Sequence, residues 1–148
     1  MIIGIAADHG GFALKEKVKD YLKKTYQLKD FGAEQYDAED DYPDMIHPLA
    51  LAVAHGEIDK GIAICGSGVG ACMVANKIKG VRAALIAETY SAHQGVEHDN
   101  MNVICLGARV TGEALALDIV EQFINARYSG EVRHRRRLDK LNAIEQAQ

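Results

Sequence analysis

The five residues Gly61-Ile62-Ala63-Ile64-Cys65 carry no charged or amide side chain to turn towards water, so as a strand they must be covered on both faces. Further apolar runs, Ile2 to Ala7, Val81 to Ala87 and Val103 to Leu106, with a weaker one at Leu28 to Phe31, alternate with segments of helical period. Strands buried on both faces need helices above and below them. The pattern therefore predicts an α/β domain with a mostly parallel sheet of five strands.

The helical segments can be placed from their apolar spacing. Leu14, Val18, Tyr21 and Leu22 recur after the turn Asp8-His9-Gly10-Gly11. An acidic stretch, Gly32 to Asp41, reads as a loop, and a helix from about Asp44 to Gly56 follows, in which Pro48 fits only the first turn. A third helix should run from the glycine-rich turn Gly66 to Gly70 to about Lys79, and a short fourth from Tyr90 to His98. Thr111 can cap a fifth helix whose Leu115, Ile119, Val120, Phe123 and Ile124 face the core. The last segment, Ser129 to Gln148, is basic and then helical, a C-terminal extension.

A chain of 148 residues, 48% of them hydrophobic, suits one domain spanning residues 1–148. No apolar run reaches the length of a membrane span, and the N-terminus lacks the pattern of a signal peptide. Cys65, Cys72 and Cys105 form no CxxC pair, and free thiols suit a reducing compartment. The expectation is a cytoplasmic protein without a membrane partner. A formal net charge of -4 argues against a nucleic-acid partner, because that affinity rests on neutralising many phosphates.

In such a sheet, ligands collect at the carboxyl ends of the strands, where Asp8, His9, Cys65, Ser67 and Arg109 fall. The glycines between Gly66 and Gly70 let backbone N–H groups converge on an anion; they also suit a plain tight turn. Gly66, Gly68 and Ala71 match the nucleotide fingerprint G-x-G-x-x-[GA], with Glu88 at the end of the next strand. That fingerprint normally opens the first βαβ unit, whereas here it follows the third strand. Cys65 is either a small core residue or a thiol whose pKa the turn lowers. His47, His55 and His93 lack a partner pattern, while His9 follows Asp8 at a strand end and His98 lies in the polar cluster Glu97-His98-Asp99-Asn100. No HExxH motif occurs, and no metal site is expected. Arg133-His134-Arg135-Arg136-Arg137 is by composition a solvated face, although the arginine fork also suits phosphate.

With these residues placed, the whole chain resembles the type B ribose-5-phosphate isomerases and the related galactose- and allose-6-phosphate isomerases. The resemblance rests on Asp8-His9-x-Gly11, Asp41-Tyr42-Pro43, Ile64-Cys65-Gly66-Ser67-Gly68-Val69-Gly70, Ala75-Asn76-Lys77, Gly80-Val81-Arg82-Ala83, Asn102-Val103, Leu106-Gly107-Ala108-Arg109, and Arg133-His134 with Arg137. It implies a Rossmann-like three-layer α/β/α sandwich, a homodimer or tetramer with active sites built from two subunits, a small phosphorylated sugar as substrate, and no cofactor. It further implies that Cys65 moves the proton between two carbons through a cis-enediolate. The amides of Gly66, Gly68, Val69 and Gly70, with Ser67, would hold the developing oxyanion. His98, with Asp8 as polar partner, would open the sugar ring. Tyr42 would contact hydroxyls, His9, Arg133 and Arg137 the phosphate, with Arg109 and His134 as weaker contributors. Some members of the family use a glutamate after the glycine loop as base, but Ala71-Cys72-Met73-Val74-Ala75 contains no acid. Asp99, followed by Asn100, stands where the family commonly has Asn; it either tunes His98 or accepts a sugar hydroxyl. Ribose 5-phosphate is the leading substrate, with another sugar phosphate, a heteromeric isomerase subunit or a non-catalytic nucleotide-binding module as rivals.

Overall fold

In a computed structural model that describes Met1–Ala147, the chain runs β1 (Ile2–Ala7), α1 (Phe12–Leu22), β2 (Gln27–Asp30), α2 (Tyr42–Ala54), β3 (Lys60–Cys65), α3 (Val69–Ala75), β4 (Ala83–Leu85), α4 (Thr89–Asp99), β5 (Val103–Gly107), α5 (Glu113–Asn125) and α6 (Val132–Gln146). All strand pairs are parallel, in the order β2-β1-β3-β5-β4. The strand with no polar face, β3, takes the centre, and all six of its residues are buried.

Alternation along the strands builds two cores of different depth. Ile3, Ile5, Ile62, Ile64, Ile104 and Leu106 meet α1, α4 and α5 on one face. On the other, the small residues Ala6, Ala63, Cys65 and Cys105 allow α2 and α3 to come close. Gly4 and Gly61 lie under Leu49 of α2, so near that a Cβ on Gly4 would come within 2.6 Å of it. The result is the expected three-layer sandwich, with α6 as the extension.

Several boundaries differ from expectation. The third helix ends at Ala75 rather than Lys79, because the Asn76 side chain turns back and pairs with Ala83, accepting from its N–H and donating to its carbonyl, both at 2.9 Å. That amide covers part of the edge of β4, which is only three residues long. Pro48 lies inside α2 rather than in its first turn, leaving the Asp44 carbonyl without its helical donor. Buried Ile46, Leu49, Ala50 and Val53 hold the helix regardless. Gly112, not Thr111, occupies the N-cap of α5, and Leu115 is 41% exposed while Ala116 takes the core position. The expected C-terminal helix is α6; its final residue in that expectation, Gln148, lies outside the described residues. No described helix is long and apolar enough to cross a membrane.

Lys60 ties the sheet to the end of α5. Its buried ammonium donates to the carbonyls of Phe123, Ile124 and Ala126 at 2.6, 3.2 and 3.0 Å, acceptors that a helix end leaves free.

Candidate active site

A pocket of about 360 Å³ opens at the carboxyl ends of β1, β3 and β5, lined by Asp8, His9, Gly10, Tyr42, Cys65, Gly66, Ser67, Gly70, Arg109 and Val110. Cys65 is the last residue of β3, and strand alternation turns its side chain to the α2/α3 face. There the Gly68 N–H donates to Sγ at 3.1 Å. Only glycine serves at position 68: φ is +79°, and a Cβ would stand 2.9 Å from the Leu106 carbonyl carbon. Ser67 Oγ accepts from the Val69 N–H at 3.3 Å, which shapes the loop.

Three further elements close this pocket. The Arg109 backbone N–H donates to the Gly66 carbonyl at 2.9 Å, and its guanidinium lies over Gly66, where a Cβ would be 3.6 Å from Nε. The Tyr42 ring packs on Gly70, within 2.8 Å of where a Cβ would stand. Asp8 is buried and accepts from the Gly11 N–H at 3.2 Å. His9 Nδ1 lies 2.7 Å from Asp40 Oδ1. The Asp40 side chain is 95% buried in this contact, its relative exposure being 5%. The sequence carried no signal for Asp40 beyond membership of an acidic loop.

Asp8, His9 and Asp40 bring ligand-type atoms within 4.8 Å of one another. Asp40 already occupies His9 Nδ1 and the Gly11 N–H already occupies Asp8 Oδ1, so no metal centre is assigned. Cys72 is not a rival base in this pocket. It borders a different cavity with Val69, Met73 and Leu85, where a hydrogen bond shared with Cys105 draws its thiol down to about 6.

The other expected site residues gather elsewhere. A helix following a parallel strand runs back along it, so α4 starts at the carboxyl end of β4, and its last residues reach the amino end of β5. That is the end of the sheet opposite Cys65, a strand length of roughly 15–20 Å away. There His98 stacks on buried His134 of α6, with centroids 4.0 Å apart. His98 Nδ1 pairs with Gln94 Nε2 at 2.8 Å, and His134 Nδ1 with Ser129 Oγ at 2.7 Å. Within one chain, then, His98 and Asp8 do not meet. Burial, then the neighbouring His98 and Arg133, hold His134 below the usual histidine range.

Arg133 and Arg137 project from the same helix into solvent, Arg133 paired with Glu131 at 2.9 Å. Asp99 borders a second cavity of about 390 Å³ with Arg82, Asn142 and Glu145. Asn100 ends α4 in the left-handed conformation, φ 53°, its carbonyl accepting from Arg82 Nε at 2.7 Å. Glu88 caps α4, accepting from the Ser91 N–H, and β5 separates its strand from β3. A ribose-binding acid would stand on the strand next to the glycine loop and have a free carboxylate, so this is not nucleotide-site geometry.

Fold and pocket together define an α/β protein with a pocket at the carboxyl ends of its strands, in which a cysteine stands beside a glycine-rich loop. The Ribose/Galactose Isomerase family model matches residues 3–141, and the chain belongs to that family. It is similar to the Clostridium thermocellum ribose-5-phosphate isomerase B structure, with 44% identity, TM-score 0.95 and 99% of each chain covered. The Mycoplasma genitalium ribose-5-phosphate isomerase B structure, which holds ribulose-5-phosphate, has 42% identity and TM-score 0.93, covering 99% of this chain and 97% of that one. A D-erythrulose-4-phosphate isomerase of Pectobacterium atrosepticum is 40% identical over 129 residues, 86% of this chain and 85% of that protein.

Proposed function

We propose that this chain is an aldose–ketose isomerase that interconverts ribose 5-phosphate and ribulose 5-phosphate. The observation that carries this reading is the placement of Cys65 Sγ against a backbone N–H, beside Ser67, Arg109 and His9, in one pocket of about 360 Å³. The thiolate takes the proton from C2 of the open-chain aldose. The C–H pair becomes the C1=C2 bond, and the carbonyl electrons move to oxygen, giving a cis-enediolate. Loop amides from Gly66 to Gly70, with Ser67, stabilise that charge. Return of the proton to C1, together with transfer of the O2 hydroxyl proton to O1, re-forms a carbonyl at C2 and yields the ketose, so the protein and its thiol emerge unchanged. His9 and Arg109 supply positive charge for the phosphate, and Tyr42 lies where sugar hydroxyls would be. A working thiol suits a reducing compartment, in keeping with the cytoplasm.

His98 and the α6 arginines complete the site only if a second copy of the chain brings them to the Cys65 pocket, so the working form is a homodimer or a tetramer built from such pairs. Exposed Val69, Met73 and Leu85, beside the short edge strand β4, offer apolar surface for that contact. The test is an isomerase assay of the purified chain on pentose, hexose and tetrose phosphates. Turnover with the highest kcat/KM on ribose 5-phosphate is expected. A higher value on a tetrose phosphate would reassign the substrate, and thermal stabilisation by nucleotides but not by sugar phosphates would overturn the isomerase reading.

A further inference from the structure

Asp40 lies in the loop before α2, on no strand and in no helix, yet each hydrogen bond described for His9 is to it. Its Oδ1 accepts from the His9 backbone N–H at 2.8 Å and lies 2.7 Å from the ring Nδ1, while its own carbonyl is 3.2 Å from the same nitrogen. The ring is thus gripped on one side only. Nδ1 is turned to the loop, which leaves Nε2 as the nitrogen available to the pocket that His9 lines. Asp40 Oδ2 is buried without a described hydrogen-bond partner, so His9 is the group that answers the carboxylate's charge.

We propose that Asp40 is a positioning residue for the phosphate end of the substrate: it fixes His9 with Nε2–H free to donate to a phosphate oxygen and supplies the counter-charge for a cationic ring. This rests on the reading of His9 as a phosphate contact. Within one chain the charged groups around the ring are few, and in the proposed dimer His98 and the α6 arginines of the second copy join them. Asp40 and Asp8 are acidic, Arg109 lies across the same pocket, and Cys65 and Tyr42 complete its titratable lining. The Asp40 hydrogen bond, opposed by partial burial and aided by Asp8, raises His9 above the ordinary histidine range. The sign follows directly. A raised pKa extends the cation to higher pH than an ordinary histidine holds it, and its contribution to phosphate binding is lost as pH climbs through that raised value.

The experiment compares the wild-type chain with Asp40→Asn, nearly the same shape without the charge, and Asp40→Ser as a second replacement. NMR titration of the His9 ring in the free protein should show its midpoint falling in both variants. With ribose 5-phosphate, the ratio of variant KM to wild-type KM should stay near one at pH 6 and grow about fivefold or more by pH 8.5, with kcat little changed. Ionisation of the substrate's own phosphate cancels in that ratio. An unchanged His9 midpoint, or a KM ratio independent of pH, overturns the role of Asp40. His9→Ala separates the two readings. If it leaves KM unaltered, His9 is not a phosphate contact; if it raises KM while Asp40→Asn follows the wild type, only the Asp40 proposal fails.

Discussion

The imidazoles of His98 and His134 stack 4.0 Å apart with 25° between their planes, at the end of the sheet opposite the Cys65 pocket. Under the proposed mechanism, Cys65 as base at one end of the sheet and His98 as ring opener at the other cannot serve one sugar within one chain. In a symmetric dimer, a patch at one end of one copy can meet the other end of its partner, which places both groups at each of two sites. Mixing chains that carry Cys65→Ala with chains that carry His98→Ala is therefore expected to restore activity. Random pairing makes half the dimers mixed, each with one intact site of two, so about a quarter of wild-type activity should return. Failure to recover activity, with subunit exchange verified by mass spectrometry, would mean that the two residues do not share a site.

In the proposed mechanism, Cys65→Ala removes the proton-transferring group and leaves the loop amides, His9 and Arg109 in place. Its kcat is expected to fall by about a thousandfold or more, with KM changed by less than about threefold. Steady-state kinetics on ribose 5-phosphate check this, and substantial turnover would assign the base elsewhere.

Gly68→Ala sets a side chain where φ is +79° and Cβ would press on Leu85 at 2.5 Å and on the Leu106 carbonyl carbon at 2.9 Å. The loop must move, and with it the N–H that points at Sγ. The expected cost is about 1–3 kcal/mol of stability, read from chemical denaturation, together with a fall in kcat larger than any rise in KM.

Acid should act through the buried Lys15 cluster. Lys15 Nζ, with no exposed side-chain surface, bonds to Asp30 Oδ2 at 2.7 Å and to Glu16 Oε1 at 2.8 Å. Burial pushes the Asp30 carboxyl up, but hydrogen bonds from Lys15, Lys19 and the Gly32 N–H together outweigh it and hold the group below its usual range. A depressed folded pKa contributes stability above the unfolded value, about 4, and that stability is lost as pH falls through the folded value. Asp30→Asn is expected to cost about 3 kcal/mol at pH 7, because the Lys15 ammonium loses its nearer partner, and to weaken the loss of stability on acidification below about pH 4. Equal pH dependence of wild type and variant in urea titrations would refute this.

Sequence by itself determined the class of fold, because what decides it is local. An apolar run such as Gly61 to Cys65 has no polar face, a helical period has a stripe, and a glycine cluster marks a turn; each is legible within a few residues. The same locality placed Asp8, His9, Cys65, Ser67 and Arg109 at the carboxyl ends of their strands, and there they share a pocket. Helix ends were less legible: α3 stops at Ala75 because the Asn76 side chain pairs with Ala83, seven residues beyond Asn76, which no periodicity records. Tertiary structure alone decided which residues face one another across long separations. Asp40 reaches His9 from 31 positions away, and the end of α4 arrives at the opposite end of the strands from Cys65. Both outcomes depend on the path of the chain through a loop and on the direction of a helix packed against the sheet, and these are set by burial summed over the whole molecule.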